Sequence, residues 1–555
     1  MKTNPPLLFN GDCTFLFGES YIENLTARYT TGTIDRFIEL LAQSGVDIYL
    51  QNPNAQKPWY PSRILSTAWD GYQRGDREFV RSNFPPVDDT DFPIEELNRS
   101  MDTCLALLDR HLDLLEDDVD WVQKIAQACR RNHIKPWLSV RMNDAHGSQN
   151  WDESYFNCKL QQDPRFRLSG RQPDGTVNIS EQLLDYRHPE VRDYFFAMIR
   201  ELVEEYDYEG LELDWMRDPF CCEPQADQST LDMMTEWVAQ IRQLTRHKAE
   251  QTGRPFPLGL RLPVRLDALK NIGLDVAAFA REGLIDFIAP TNYWQTTWDV
   301  PYDRLRAAVG DKVAIYGVIE DAPNWLECRS STQDTGEQEG FNPSHRCLSA
   351  SPELLRGNAA GKLAQGANGI YLYNFFCTDE ATHNPNPAVL QAKYPALQCL
   401  SVLDALRGKP KHYALATAND ARMRRYFESA DQLPVTLAPG DQRTFTISMC
   451  SEPAIEKREH RQELLLQVVI ENTDEDCRLV AIFNGCAAQG MAIFTDKLLF
   501  PTGIFTHHTV KHKALNFRFL ASDIKEGWNE LLVFNNNESD VRILSLELAV
   551  LAELG

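Results

Sequence analysis

A (β/α)8 TIM barrel followed by a C-terminal antiparallel, jelly-roll-like β-sandwich is the fold class that this α/β sequence predicts, on three observations. First, Tyr208 to Arg217 reads Y-E-G-L-E-L-D-W-M-R, an alternation of apolar and acidic residues with period two. Leu211, Leu213 and Trp215 would point one way, and Glu212 and Asp214 the other. Second, eight strand candidates, starting near residues 13, 46, 135, 210, 257, 286, 313 and 369, each run into a helix or loop. That rhythm suits a closed barrel better than an open doubly wound sheet. There is also no Gly-rich dinucleotide fingerprint and no P-loop motif. Third, the composition changes after about residue 408, where short alternating strands and turn residues take over. The expected domains are therefore a barrel over 1–408 and a sandwich over 409–555.

In chain order, Cys13 to Phe17 is a short apolar run and the first strand candidate. Thr33 to Ser44 has helical spacing and stops at Gly45; Val46 to Leu50 reads as a strand with Gln51 and Asn52 at its tip. The long stretch from Pro53 to Asp91 carries Trp59, Tyr60, Trp69 and Tyr72, which points to an ordered pocket wall. Val119 to Asn132 is an amphipathic helix, and Lys135 to Arg141 a strand with Arg141, Asn143, Asp144 and His146 at its tip. Pro189 to Tyr206 is a helix that feeds the acidic strand at Gly210 to Met216. Helices over 231–251, 275–282, 302–309 and 352–364 alternate with strands over 257–263, 286–290, 313–319 and 369–375. Beyond Arg443 the sandwich strands are expected at 445–447, 463–471, 479–483, 517–520, 531–534 and 543–548, with turns at Asn484-Gly485 and Asn535-Asn536-Asn537. Such a module often binds carbohydrate or serves only as a packing partner.

The chain has 555 residues, 43% of them hydrophobic, and a formal charge of −24. That charge repels nucleic acid and anionic membranes, so neither is an expected partner. No apolar run of about 18 residues or more occurs, so no membrane helix is expected. The N-terminus lacks the apolar core of a secretory signal, and the 13 cysteines form no C-x-x-C pair. Reduced thiols, such as Cys104, Cys129 and Cys377, fit a cytoplasmic protein, or a secreted one if a signal has been removed; Cys221-Cys222, just past the acidic strand, are either packed or exposed thiols or a reactive pair. A homo-oligomer is left open.

Two carboxylates on different strand tips are what hydrolysis of a glycosidic bond needs: one to attack or to activate water, one to protonate the leaving oxygen. Asp214 and Glu320, at the tips of the fourth and seventh strands, are the leading pair. Glu212 sits one layer deeper, suited to holding an arginine or tuning Asp214, and Asp144 is a rival for either catalytic task. Arg141, Arg217, Arg261 and Arg265 fall near strand tips, where guanidinium forks would bind a carboxylate or sulfate on an anionic sugar or neutralise the neighbouring acids. Asn292, Tyr293 and Trp294 follow the sixth strand, and with Trp298 could wall a sugar subsite. No H-E-x-x-H or G-x-S-x-G motif occurs, and His507, His508 and His512 fit an exposed strand or turn better than a metal site. No metal and no cofactor is expected.

Asp185 to Arg192, followed by Tyr206 to Asp214, resembles the helix start "D-x-x-x-P-E-V-R" and strand "Y-D-x-D-G-I-x-x-D" of bacterial glycosyl-hydrolase-like barrel enzymes. Asp286 to Trp294 is similar to that group's later "D-x-I-x-P-x-x-Y-W" strand, and Ile134 to Arg141 to its third strand. The likeness runs over roughly residues 10–390 and implies a TIM-barrel glycosidase with Asp214 as an acidic catalytic candidate. The strand also resembles the "D-G-x-D-x-D-x-E" signature of chitinase-like barrels, but Met216 stands where that family has its catalytic Glu, so the acid must come from elsewhere, which is why Glu320 enters. It is similar, too, to barrels of the α-galactosidase type, whose nucleophile is an Asp on the fourth strand, although that type's partner Asp after the sixth strand is missing here. The expectation is a hydrolase of oligo- or polysaccharides. The rivals are a non-catalytic carbohydrate-binding protein on a degenerate barrel and a metal-dependent hydrolase.

Overall fold

The computed structural model describes residues 4–12, 16–17, 28–84, 94–144, 154–169, 183–291, 296, 298–320, 350–373, 375, 394–415, 432–453, 462–471, 477–495 and 512–551. The chain opens with β1 (Leu7–Gly11), α1 (Thr31–Gln43) and β2 (Ile48–Gln51). Next come α2 (Arg77–Arg81), α3 (Ile94–Glu116), α4 (Trp121–Arg131) and β3 (Lys135–Arg141). The middle of the barrel is α5 (Lys159–Gln162), α6 (Pro189–Glu205), β4 (Leu211–Asp214), α7 (Gln228–Thr252) and β5 (Leu258–Pro263). It closes with α8 (Leu266–Asn271), α9 (Val276–Arg281), β6 (Phe287–Thr291), α10 (Tyr302–Val309), β7 (Ala314–Glu320), α11 (Pro352–Ala364) and β8 (Gly369–Tyr373). The eight strands form a closed parallel barrel in sequential order, with β8 paired back onto β1.

Local signals start and stop these helices where the sequence carries them. Asp120 caps α4 by accepting from the Val122 and Gln123 amides, and Asp227 caps α7 through the Thr230 amide. Gly253 ends α7 in the left-handed region, with φ of 65°. Ser351 caps α11, and Pro352 occupies its first turn.

Three expectations change. The first strand is Leu7–Gly11 and not Cys13 to Phe17. Both runs are apolar, and among the described residues it is the earlier one that pairs with β2 and β8. Leu16 and Phe17 lie in a turn, with Phe17 stacked on His111 at 3.7 Å, and residues 13–15 are outside the described residues. Second, α3 is a 23-residue helix in a stretch to which the sequence reading assigns nothing. Third, the described part of the aromatic stretch, residues 53–84, builds core rather than a pocket wall. Trp59, Tyr60 and Tyr72 are buried in the outer cluster, and the Tyr60 hydroxyl donates to Glu201 at 2.8 Å. The loop over 324–345 lies outside the described residues.

The predicted alternation in the fourth strand holds. Leu211, Leu213 and Trp215 join the core between strands and helices, whereas Glu212 and Asp214 face the barrel interior. The lower part of that interior is apolar, with Trp137 stacked on Phe287 at a centroid distance of 5.1 Å. Gly210 and Gly259 make room for them: a Cβ at Gly259 would fall 2.4 Å from the Phe287 ring, and one at Gly210 2.7 Å from Trp137.

The sandwich comprises β9 (Lys411–Leu415), β10 (Val435–Leu437), β11 (Gln442–Met449), β12 (Glu463–Glu471), β13 (Leu479–Phe483), β14 (Cys486–Ala487), β15 (Ile493–Thr495), β16 (His512–Leu520), β17 (Gly527–Asn535) and β18 (Val541–Val550). One sheet runs β10-β18-β12-β16-β15 with β9 also on β18, and the other runs β11-β17-β13-β14, all antiparallel. β9 and β10 precede the point at which the alternating pattern becomes readable. Even-numbered residues of β12 and odd-numbered residues of β16 and β17 fill the space between the sheets. Asn484 and Gly485 both have positive φ, 50° and 84°, as a two-residue hairpin between β13 and β14 requires. Helix α11 joins the two parts: a Cβ at Gly357 would sit 1.9 Å from the His412 carbonyl oxygen, and Ser448 Oγ donates to the Gly361 carbonyl at 2.7 Å.

Candidate active site

Interior-facing side chains change from apolar to charged toward the C-terminal ends of the strands. Register places Arg141 beside Asp214 and Asp214 beside Arg261, so β3, β4 and β5 present a cation, an anion and a cation at one level. Arg261 Nη1 lies 3.0 Å from both oxygens of Asp214, and the Met216 amide donates to Asp214 Oδ1 at 2.9 Å. The Arg261 guanidinium carbon lies over the ring of Tyr373 of β8, 3.0 Å from its centroid. Arg217 approaches the same ring at 5.4 Å. Glu320 of β7 is paired in register with Tyr373. Its backbone is fixed by Thr296, whose hydroxyl accepts from the Glu320 amide at 3.0 Å. Asp214 is 2% exposed and Glu320 5%.

One layer below, Glu212 is fully buried. Its Oε1 accepts from Ser139 Oγ at 2.7 Å, Tyr371 Oη at 2.8 Å and Asn10 Nδ2 at 3.4 Å, while Oε2 has no hydrogen-bond partner among the described residues. Neutral donors hold it in place of the arginine that the sequence reading allowed. Burial, followed by the negative charge of Asp214, pushes its carboxyl up to about 8. Tyr373 is pushed up to about 12 by burial.

Sequence reasoning missed Asp12. Shifting the first strand back to Leu7–Gly11 puts Asp12 at its tip, where Oδ2 accepts from both Arg141 Nη2 and Arg217 Nη2. Arg141 also binds Asp144 at 3.1 Å, so Asp144 and Asp12 flank one guanidinium. Asn10 and Ser139, which support Glu212, were missed for the same reason as Tyr371 and Tyr373: short polar or aromatic residues inside a strand read as packing until closure of the barrel brings them together. The Leu7-Leu8-Phe9 run before Asn10-Gly11-Asp12 was the available signal.

Two expected residues are not in the mouth. Arg265 pairs with Asp267 at 2.5 Å on the surface, where both are more than 40% exposed. Trp298 packs against both the barrel core and the sandwich core, not along a rim. Asn292, Tyr293, Trp294 and His146 lie outside the described residues, as do His507 and His508. Among the described residues, no three His, Cys, Asp or Glu side chains are grouped to hold a metal, and no helix is long and apolar enough to cross a membrane.

No family model and no curated protein matches the sequence. Solved structures similar in fold include alpha-L-fucosidase isoenzyme 2 of Paenibacillus thiaminolyticus, at 12% identity and TM-score 0.40 over 75% of this chain and 52% of that one. The PgaB (BpsB) glycoside hydrolase domain of Bordetella bronchiseptica is similar at 12% identity and TM-score 0.37, over 70% of this chain and 98% of its own. An alpha-galactosidase of Geobacillus stearothermophilus is similar at 9% identity and TM-score 0.31, over 93% and 55%. The chain thus spans about half the length of the fucosidase and of the galactosidase.

Proposed function

We propose that the chain is a glycoside hydrolase acting on an oligo- or polysaccharide, with Asp214 as nucleophile or base and Glu320 as acid. The observation that carries this reading is a continuous path across the barrel mouth. Asp214 is held by Arg261, Arg261 lies on Tyr373, and Tyr373 is the register partner of Glu320. Acids presented by β4 and β7 thereby share one mouth at the C-terminal end of a parallel barrel, where this fold places its chemistry. One carboxyl protonates the glycosidic oxygen; the other attacks the anomeric carbon, or removes a proton from the water that does. Glu212 supports Asp214 from the layer beneath.

The buried arginines Arg141, Arg217 and Arg261 favour a sugar carrying a carboxylate or sulfate, which a planar guanidinium recognises through paired N–H donors. Asp12 and Asp144 hold two of these cations before substrate arrives.

The test is Asp214→Asn and Glu320→Gln, made separately and assayed on a panel of neutral and anionic oligosaccharides. Each should lower turnover by about 10²- to 10⁴-fold with the fold retained. Near wild-type turnover in both variants would reject the assignment. A second reading, a non-catalytic carbohydrate-binding barrel, is favoured by the full engagement of Asp214 with Arg261. Tight sugar binding without turnover in the wild type would select it.

A further inference from the structure

The loop after β4 carries two adjacent cysteines that the hydrolytic reading does not use. Cys221 Sγ donates to the Ile272 carbonyl oxygen at 2.6 Å, and Cys222 Sγ to the Glu223 carbonyl oxygen at 3.3 Å. Both sulfurs occupy the space over Gly273, where a Cβ would fall 2.8 Å from Cys221 Sγ and 3.2 Å from Cys222 Sγ. Gly273 has φ of +100°, so the position suits glycine on backbone grounds as well. Both residues are buried, Cys221 at 0% and Cys222 at 1% exposure, and Cys222 borders a cleft of about 380 Å³. Arg187 lines the same cleft, its Nε 3.0 Å from both Asp185 oxygens.

We propose that Cys221 and Cys222 are a peroxide-reactive thiol pair, with Cys222 attacking a small hydroperoxide in the cleft and Cys221 resolving the product as a vicinal disulfide. Cys222 loses its proton to solvent and attacks one peroxide oxygen; an S–O bond forms, the O–O bond breaks, and the alcohol or water leaves. Cys221 sulfur then attacks Cys222 sulfur. An S–S bond forms, the S–O bond breaks, and water leaves with the Cys221 proton. Two thiols are oxidised and one hydroperoxide is reduced. The Arg187 guanidinium, held at the cleft by Asp185, stands where its remaining N–H donors can meet the departing oxyanion. Burial pushes the Cys221 thiol up, which suits the resolving role better than the attacking one.

Adjacent Cα atoms are about 3.8 Å apart across a trans peptide. Disulfides prefer roughly 4.4–6.8 Å, so the ring would be strained and easily reduced. Closing it takes Cys221 from Ile272. It also pulls on a loop anchored by Asn143 Nδ2 to the Phe220 carbonyl at 2.9 Å and by the Tyr186 amide to the Cys221 carbonyl at 2.8 Å. The same loop delivers Arg217 to the mouth.

The test treats the folded full chain with hydrogen peroxide, alkylates it and maps the peptides by mass. The peptide holding both cysteines should lose about 2 Da and recover with dithiothreitol. Cys221→Ser should stop at a sulfenic acid on Cys222 that a dione probe traps, Cys222→Ser should show no loss, and Arg187→Gln should slow oxidation several-fold. Oxidation of the exposed Cys399 and Cys486 while Cys221 and Cys222 stay alkylatable would overturn the proposal, as would an Arg187→Gln rate equal to wild type.

Discussion

The two ends of the barrel interior are built from the same strands, two or four residues apart, yet they obey different rules. At the lower end Trp137 and Phe287 meet over two glycines, and the space is filled as an ordinary apolar core. At the upper end the corresponding positions are Arg141, Asp214 and Arg261, and every charge there is held by another. The lower end is stabilised by burial of apolar surface. The upper end bears the cost of desolvating ions, an arrangement that stability alone does not favour. Charge is thus concentrated at one end of a packed barrel, the end at which the proposed chemistry would take place.

The largest expected effect that would test this contrast is at Arg261. Arg261→Met leaves Asp214 buried and unpaired, and should destabilise the fold by about 3–5 kcal/mol in urea unfolding. The double variant with Asp214→Asn should recover much of that loss. A cost below about 1 kcal/mol would mean that the pair is solvated and the two ends differ less than described.

Glu212 sharpens the comparison through pH. Its folded-state carboxyl lies near 8, above its ordinary 4.5, so the native state holds a proton that the unfolded chain has released. Its contribution to stability is complete below about pH 4.5 and is lost as pH rises through 8. Glu212→Gln should flatten the decline in melting temperature across that window, with a difference on the order of a few kcal/mol at its upper end. Parallel wild-type and variant curves would show that Glu212 is ionised in the fold.

At the lower end, Gly259→Ala should cost about 1–3 kcal/mol because the new methyl overlaps the Phe287 ring. Adding Phe287→Leu should return part of that cost; no recovery would mean the methyl strains the backbone instead. The smallest effect belongs to Arg265→Ala, which removes a surface pair and should change stability by less than about 1 kcal/mol and turnover not at all. A marked loss of turnover would bring Arg265 back into the mouth.

Much of this was legible in the chain. Period-two alternation in Leu211 to Trp215 announced which residues face in, and the bounds expected for Pro352 to Ala364 and Glu463 to Glu471 match the structure to the residue. The first strand was misplaced because two apolar runs, Leu7 to Phe9 and Cys13 to Phe17, compete for it, and closure onto β8 selects the earlier one. That shift hid Asp12, and with it the carboxylate that joins Arg141 to Arg217. Trp298 was misplaced for a similar reason: an aromatic after a strand tip suits a sugar wall and a domain contact equally well.

Local periodicity and capping determined the parallel barrel, the sandwich behind it and the presence of acids at strand ends, because those signals act over a few neighbouring residues. The partners of each acid were decided only in three dimensions. Asp214 met Arg261 across adjacent strands, Glu212 met Tyr371 across the barrel, and Asp12 met Arg217 from 205 residues away. Pairing of buried charges depends on distance in space and on lost solvent, and neither is written in the spacing of residues along the chain.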